Sequence, residues 1–294
     1  ILVASLVLFF VAQEPPDEPW DSLFWRGGLW MQAPTGRLNG RWMHDWSDLD
    51  SVWLDEPGEA DQARRLRLLL QGEWNARLAF KTQGEFKGDD PHLLEWWINW
   101  KTPDQPSLRV GHFREPFGLD ARTTSAHITF VERSSPTPAL TFSRNRGLEV
   151  HKSDTQQLGD GVRLAADPEV HLARKGADTG TIAAESVSGL VFESVWVRGA
   201  LTTQAELFFA NLEQSSGPHA ALHGGYLQVS SMLTGEQRAY REAIHSLGRL
   251  VVSRPTLGGG GPGAWELAAR YSHTDLSDGY VDGGVMNNFT LGLT

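Results

Sequence analysis

Apolar and polar residues alternate with a period of two in segment after segment of this chain, and no other feature limits its fold as strongly. In ARRLRLLLQG, residues 63–72, Leu66, Leu68 and Leu70 fall on one face of an extended strand. Arg65 and Arg67 fall on the opposite face. NARLAFKTQG, GAWELAARYSHTD and NNFTLGLT repeat this arrangement, and turn-forming stretches separate the segments. The spacing predicts an all-β, antiparallel fold, either a barrel or a sandwich.

These two architectures differ in where they place the apolar face. No stretch of 18 or more apolar residues follows the N-terminal segment, which excludes membrane-spanning helices. A membrane barrel stays open, because its strands alternate lipid-facing apolar residues with lumen-facing polar ones. Many of the 12 tryptophans stand near strand ends, where a barrel has its interfacial girdles. The same residues also fit the aromatic core or the sugar-binding platform of a soluble β-sandwich.

Composition and motifs exclude several functions. The 26 Lys and Arg against 36 Asp and Glu give a formal net charge of −10, which argues against a nucleic-acid partner. The absence of cysteine excludes disulfides, thiolate metal sites and cysteine nucleophiles. HDWSDLD, residues 44–50, holds four potential metal ligands, but a surface turn explains it better. No cofactor, metal or enzymatic activity is predicted, and an envelope enzyme with converging carboxylates stays an alternative.

The N-terminal segment has the composition of an export signal. An apolar run from Ile1 to Ala12 is followed by an acidic, proline-rich stretch. Such a run is too short to span a bilayer but suits the hydrophobic region of a signal peptide. We expect residues 1–13 to be a signal-peptide remnant, 14–36 to be a periplasmic N-terminal linker, and 37–294 to form the β domain. A buried element of the mature fold is the alternative.

One strand breaks in a way that predicts a functional loop. SLRVGHF, residues 107–113, ends just before Glu115-Pro116, where proline cannot donate to a β-ladder. Arginines lie on the predicted strands, several of them on the polar face, and around this break: Arg64, Arg65, Arg67, Arg77, Arg109, Arg114, Arg122, Arg133, Arg144 and Arg146. In a soluble protein these side chains would be solvated. In a closed barrel they would line the pore and concentrate anions.

Six segments in series resemble the phosphate-selective porins O and P of Gram-negative outer membranes. They are LRVGHFREPFGLD, TTSAHITFVERS, RNRGLEV, ADPEVHLA, YLQVSSMLTGEQRAY and GAWELAARYSHTDL with NNFTLGL. RLNGRWMHDW and ARRLRLLLQGEW fit the first strands of that family. The resemblance implies a 16-stranded antiparallel transmembrane β-barrel in the outer membrane, usually a homotrimer embedded in outer-membrane lipid. It also implies that residues 114–146 fold into the lumen as a constriction loop.

The resemblance assigns anion-binding roles by position. Arg64 and Arg65 match the paired arginines of the family's basic ladder, and Thr124 and Ser125 match its pair of loop hydroxyls. Arg133, in FVERS, matches the arginine that closes the site. The predicted anion-binding residues are Arg64, Arg65, Arg122, Thr124, Ser125, Arg133 and Arg163, and inorganic anions such as phosphate or polyphosphate are the expected solutes.

The chain also departs from the family pattern. Ala121 replaces the expected constriction lysine, with Arg122 beside it, and the alternate arginines before PEVHLA reduce to Arg163. A general or weakly anion-selective pore is therefore expected. We count about 12–14 strands, which predicts either a partial product or a smaller barrel. The expectation is an outer-membrane porin for small anions; a secreted Trp-rich, glycan-binding β-sandwich and a degenerate porin without channel activity are the alternatives.

Overall fold

Backbone pairing divides the chain into four sheets. The computed structural model describes residues 23–25, 29–33, 36–49, 58–75, 77–100, 108–115, 117–125, 127–141, 144–150, 153–154, 162–170, 173–214, 217–241, 246–256 and 260–294. In these ranges 18 strands form sheets of nine, two, five and two strands, with antiparallel ladders. Eleven of the strands have seven or more residues. The all-β, antiparallel prediction is confirmed.

The first compact unit comprises residues 1–48, 59–115 and 144–157. Its nine strands pair in sequence order, and all but one of the connections between them are short. They are β1 (Leu23–Trp25), β2 (Leu29–Ala33), β3 (Gly36–Leu49), β4 (Gly58–Asn75), β5 (Leu78–Glu85), β6 (His92–Trp100), β7 (Leu108–Arg114), β8 (Arg144–Val150) and β9 (Ser153–Asp154). Strands β1 and β2 lie inside the stretch 14–36 that was expected to be a linker. Residues 1–22, including the predicted signal-peptide remnant, lie outside the described residues.

The second compact unit comprises residues 49–58, 116–143 and 158–294. Five strands form its main sheet in the order β12-β13-β14-β17-β18, and β10 with β11 and β15 with β16 form two hairpins. Its elements are α1 (Leu119–Arg122), α2 (Pro136–Leu140), β10 (Val162–Ala166), β11 (Ala177–Ile182), β12 (Ala184–Arg198), β13 (Leu201–Gln214), β14 (Ala220–Met232), β15 (Tyr240–Arg241), β16 (Ser246–Leu247), β17 (Glu266–Asp278) and β18 (Val281–Leu293). Among the described residues, no helix has the length and apolar composition needed to cross a membrane.

The long strands expose their apolar face and bury their polar face. On β13, Leu207 and Phe209 are 54% and 42% exposed. Glu206, on the opposite face of the same strand, is 0% exposed. On β17, Leu267 and Tyr271 are exposed and Arg270 is buried. A soluble sheet shows the reverse arrangement, with apolar side chains in the core. The alternation predicted for GAWELAARYSHTD is confirmed, and its apolar face points away from the packed interior.

The first unit has the same arrangement on β4, β6 and β7. Register places Ile98 opposite Val110 and Trp100 opposite Leu108, so that apolar side chains of neighbouring strands adjoin on one face. The exposed residues of this face are Leu66, Leu68, Leu70, Trp96, Ile98, Trp100, Leu108 and Val110. The leucine face predicted for residues 63–72 is therefore confirmed.

A hydrophobic cluster fills one end of the polar face in the second unit. Near the turn between β17 and β18, the inward residues change from polar to apolar, as at Leu276 and Val281. The hairpin β10–β11 packs there through small residues, including Ala166 and Ala177. The full cluster is Ala139, Leu140, Ala166, Ala177, Ile182, Phe208, Ala210, Leu212, Ala220, Leu222, Tyr226, Leu276, Val281 and Met286. Residues far apart in sequence thus cover this end of the sheet.

Two local predictions are wrong, one pair of open alternatives is decided, and one strand boundary differs by one residue. Strand β10 ends at Ala166, so most of ADPEVHLA forms a loop instead of a strand. HDWSDLD does not turn, since β3 continues to Leu49. The described part of GEQRAYREAIHSLGRL has no helix and carries the short strands β15 and β16 in a loop, which was the other interpretation. Strand β7 ends at Arg114, one residue later than predicted.

Candidate functional site

The segment that follows the break at Pro116 folds into two short helices within the second unit. We call residues 117–141 the docked segment; it contains α1 and α2 and packs against β13, β14 and β17. Gly118 adopts φ 81°, a conformation that glycine reaches without a Cβ clash, and it turns the chain into α1. The docked segment buries serine, threonine and acidic side chains instead of a purely apolar core.

Asp120 joins the two helices of the docked segment. Its Oδ2 accepts hydrogen bonds from the Ser134 amide at 3.0 Å, the Ser134 hydroxyl at 3.2 Å and the Thr137 hydroxyl at 3.0 Å. Asp120 is 7% exposed, so these donors replace the water that a buried carboxylate would lose. The docked segment is therefore a compact structure with its own polar centre.

Arg133 completes this internal structure. Its Nε donates to the Asp120 carbonyl at 2.9 Å, and its Nη2 donates to the Thr123 carbonyl. The Thr123 hydroxyl in turn donates to the Leu119 carbonyl at 2.8 Å. A guanidinium matches this task because its donors leave a planar group in fixed directions. In this structure the residue predicted to close an anion site holds the carbonyl end of α1.

Glu206 of β13 binds the start of the docked segment. Its two carboxylate oxygens accept the Leu119 amide at 2.6 Å and the Asp120 amide at 2.8 Å. The Tyr226 hydroxyl on β14 donates to the same carboxylate at 2.5 Å. Three donors converge on this side chain, and Glu206 is fully buried, so water does not compete for these hydrogen bonds. This carboxylate is a fixed attachment point between the segment and the sheet.

Glu169 forms a second and larger attachment. Its carboxylate accepts five hydrogen bonds, which include Nε and Nη2 of Arg270 at 2.9 and 2.5 Å. The remaining donors are the Ser135 amide, the Ser272 hydroxyl and the Thr290 hydroxyl. Both charged side chains are 2% exposed. We call these five residues the Glu169 cluster; it links the docked segment, the loop after β10, and strands β17 and β18.

The backbone of Glu169 is strained. Among the described residues it is the non-glycine residue with a positive φ, at 63°. A side chain in this left-handed region costs about 1 to 3 kcal/mol and persists only where neighbours fix it. The five hydrogen bonds of the carboxylate supply that fixation.

Arg270 also contacts the docked segment directly. Its Nη2 donates to the Glu132 carbonyl at 3.0 Å, and its guanidinium lies 4.5 Å from the centroid of the Phe130 ring. A second arginine, Arg238, pairs with Glu266 and donates to the His127 carbonyl at 2.8 Å. Buried arginines that are neutralised by carboxylates thus hold the middle of the docked segment as well as its ends.

A glycine on β14 allows the helix α2 to approach the sheet. A Cβ atom at Gly224 would lie 2.8 Å from Pro136 Cβ, 2.8 Å from the His273 carbonyl oxygen and 3.0 Å from Leu140 Cδ1. These distances are shorter than van der Waals contact, so no other residue fits without moving α2 or the backbone. Shape and charge therefore fix the same segment.

The predicted anion-binding residues of the second unit occupy different environments. Arg122 forms a 2.5 Å ion pair with Glu193 on β12. Thr124 is exposed and Ser125 is half-buried. Arg163 on β10 is exposed and forms a bidentate pair with Asp178 on β11. The Arg163 hydrogen bonds lower the pKa of the Asp178 carboxyl to about 2.

Arg64 and Arg65 lie on β4 in the first unit, and they occupy opposite faces of that strand. Arg65 shares the polar face with Arg67, whose Nε pairs with Glu85 at 2.6 Å. Arg64 lies on the same face of β4 as the exposed leucines, and it is itself 7% exposed. The two residues that were predicted to act as a pair therefore do not project to one side.

A mixed charged cluster occupies the polar face of β5, β6 and β7. Lys81 pairs with Glu95 at 2.9 Å, and the Trp97 indole donates to the same carboxylate at 3.0 Å. The Arg109 guanidinium lies 4.7 Å from the centroid of the Trp97 ring. Gly111 permits this packing, because a Cβ there would lie 2.2 Å from the Trp96 carbonyl oxygen. Cations on this face thus stand beside carboxylates and aromatic rings.

The amino-acid sequence is similar to those of known proteins. The model of the family described as phosphate-selective porin O and P matches residues 37–159 and 151–294. The chain belongs to this family. An uncharacterized protein of Caulobacter vibrioides is 25% identical over 299 residues, which cover 80% of this chain and 60% of that protein. The chain thus spans less than two thirds of the length of that relative.

Membership in this porin family agrees with the antiparallel sheets. It confirms the family that the sequence resembles. The residues that attach the docked segment were not predicted: Glu169, Glu206, Tyr226, Arg238 and Arg270. ADPEVHLA contains Glu169, and its place inside a family motif was the signal that could have identified that residue.

Proposed function

We propose that the protein is an outer-membrane porin through which small solutes diffuse passively, with a weak preference for small anions. Its family supports a channel. The exposed apolar faces support contact with lipid, since Leu207, Phe209 and Tyr271 would otherwise face water. The buried polar faces support a water-filled interior.

The observation that carries this proposal is the attachment of the docked segment to the polar face of the five-stranded sheet. Glu206 and the Glu169 cluster bind it through buried hydrogen bonds, and Gly224 admits α2. In a channel, a segment fixed on the polar face narrows the path for solutes. Residues 114–146 would therefore form the constriction loop, and its rigidity would set the size limit.

Selectivity in our proposal follows from the charges on the polar faces. Arginine and lysine side chains attract anions electrostatically, and Thr124 and Ser125 offer hydroxyls that can replace part of the hydration shell of phosphate. Neighbouring carboxylates weaken this attraction, as Glu193 does for Arg122. Phosphate and polyphosphate are thus candidate solutes among other small anions. The proposed cations are Arg65, Arg67, Lys81, Arg109 and Arg122.

Transport in this proposal involves no covalent step, because diffusion through a polar lumen needs only transient replacement of water by protein donors. The family also implies an outer-membrane location and a homotrimer, which we include in the proposal. Each protomer would then present its apolar faces to lipid or to a neighbouring protomer.

Conductance across a planar bilayer tests the proposal. Refolded protein should produce stepwise conductance in KCl, and a tenfold salt gradient should give a reversal potential of the sign expected for weak anion preference. A reversal potential that favours cations would refute the anion preference, and protein that inserts without conducting would refute the channel. Detergent removal distinguishes the sandwich alternative, since a glycan-binding sandwich should stay soluble and a porin should precipitate.

A further inference from the structure

Two histidines and an aspartate converge on the apolar face of the five-stranded sheet. His223 lies on β14, and His273 and Asp275 lie on β17. One ligand atom from each residue lies within 4.8 Å of the other two. The register pairs His223 with Asp275 directly, and the two imidazole centroids are 5.8 Å apart. The strand pairing therefore assembles three metal-ligating side chains without any loop.

A neighbouring amide fixes the orientation of one imidazole. The Nδ1 atom of His273 lies 2.9 Å from Oδ1 of Asn287, which also accepts the Tyr271 hydroxyl at 2.8 Å. An amide oxygen only accepts hydrogen bonds, so this contact favours the neutral tautomer in which Nδ1 carries the proton and Nε2 keeps its lone pair. An imidazole that donates through one nitrogen to an oxygen and keeps the other for a ligand is typical of metal sites.

The carboxylate is positioned in a similar way. One oxygen of Asp275 accepts the Ser277 amide at 2.9 Å, which fixes the carboxylate beside His223 on the neighbouring strand. Asp275 and His273 are half-buried and His223 is exposed. The cluster is thus partly ordered and open to solutes in water.

The location of the cluster keeps it hydrated. Tyr271 and Phe289 are the adjoining exposed aromatic pair on β17 and β18, at 50% and 70% exposure. On the other side, the strands end at the turn after Asp278, with Tyr280 exposed. The cluster lies between an apolar band and a turn, which is where a lipid-facing surface gives way to water.

We propose that His223, His273 and Asp275 form a binding site for a divalent transition metal, with Zn²⁺ as its first candidate. Two imidazole nitrogens and one carboxylate oxygen make three zinc ligands, and water would supply the fourth. Ligand atoms around tetrahedral zinc lie about 3.4 Å apart, so side-chain rotation must close the present separation. Ca²⁺ and Mg²⁺ do not fit this donor set, because they select oxygen ligands.

Calorimetric titration of ZnCl₂ into the tag-free, refolded protein tests the site, with thermal unfolding as a second measurement. Zn²⁺ should bind with a stoichiometry of one per chain and raise the unfolding temperature, because a ligand that binds the folded state stabilises it. MgCl₂ at the same concentration should do neither. The double variant His223→Ala, His273→Ala should lose the binding.

Three further variants separate a metal site from a general effect of zinc. Asn287→Ala should weaken binding about tenfold or more without abolishing it, because the amide orients a ligand. Asp275→Asn should weaken it while keeping the shape of the side chain. His219→Ala removes an exposed histidine outside the cluster and should bind Zn²⁺ like the wild type. Wild-type protein that binds no Zn²⁺, or a double variant that binds it equally well, would overturn the proposal.

Discussion

Replacing Glu169 by glutamine removes the charge that neutralises a buried arginine. Arg270 is 2% exposed, and the charged carboxylate oxygen Oε2 that accepts both of its hydrogen bonds would become part of a neutral amide. Breaking a buried ion pair by changing one partner costs about 3 to 5 kcal/mol, since the other charge stays desolvated. Glutamine also retains the strained φ of 63°, which the weaker hydrogen bonds must still hold. We expect Glu169→Gln to lower the free energy of unfolding by about 3 kcal/mol or more.

Two measurements test the effect of Glu169→Gln. Urea unfolding in detergent, monitored by tryptophan fluorescence, gives the change in stability, and single-channel recording gives the state of the docked segment. Because Glu169 binds the Ser135 amide, its loss should release the segment and produce larger or noisier conductance steps. Arg163→Gln is the matched control: it breaks an exposed pair and should leave both measurements unchanged. Wild-type stability together with wild-type conductance in Glu169→Gln would refute the role of the Glu169 cluster.

Variants at three more positions test the docked segment. Glu206→Gln replaces one of the two acceptor oxygens with an NH₂ group, so the Leu119 or the Asp120 amide loses its acceptor and conductance noise should increase in bilayer recordings; quiet, wild-type steps would contradict this attachment. Gly224→Val should destabilise the protein by about 1 to 3 kcal/mol and raise the conductance, because the added side chain collides with Pro136. Unchanged thermal unfolding would show that α2 does not pack against Gly224. Arg133→Ala removes the donors that bind the carbonyl end of α1 and should therefore reduce the anion preference under a salt gradient, whereas Arg133→Lys should recover part of that preference. An unchanged reversal potential in Arg133→Ala would exclude Arg133 from selectivity.

The strands could be predicted because their signal is local. Alternation with a period of two recurs every few residues, and lipid contact requires an apolar residue at each exposed position. The exposed leucines of β4 and the pairing of apolar faces on β17 and β18 follow from this rule. The break at Pro116 was equally local, since proline ends a ladder wherever it stands.

The attachment residues could not be predicted from local patterns. Glu169 and Arg270 are 101 positions apart, and only tertiary structure brings their charges together. ADPEVHLA alternates like a strand, yet Glu169 adopts a left-handed conformation that no period reveals. The helices α1 and α2 have four and five residues, too short for a helical stripe. The role of Arg133 followed the family pattern, whereas its contacts depend on carbonyls that sequence does not locate.

The Glu169 cluster also has a consequence for the order of folding. Its members come from positions 135, 169, 270, 272 and 290, and the last three lie on strands that are made late in synthesis. The docked segment is therefore synthesised long before the groups that hold it exist in their final geometry. Before β17 and β18 have paired, Glu206 can hold only the start of the segment, so a newly inserted chain would pass through a state with a looser segment and a wider lumen. Closure of the pore would then be one of the last steps of biogenesis.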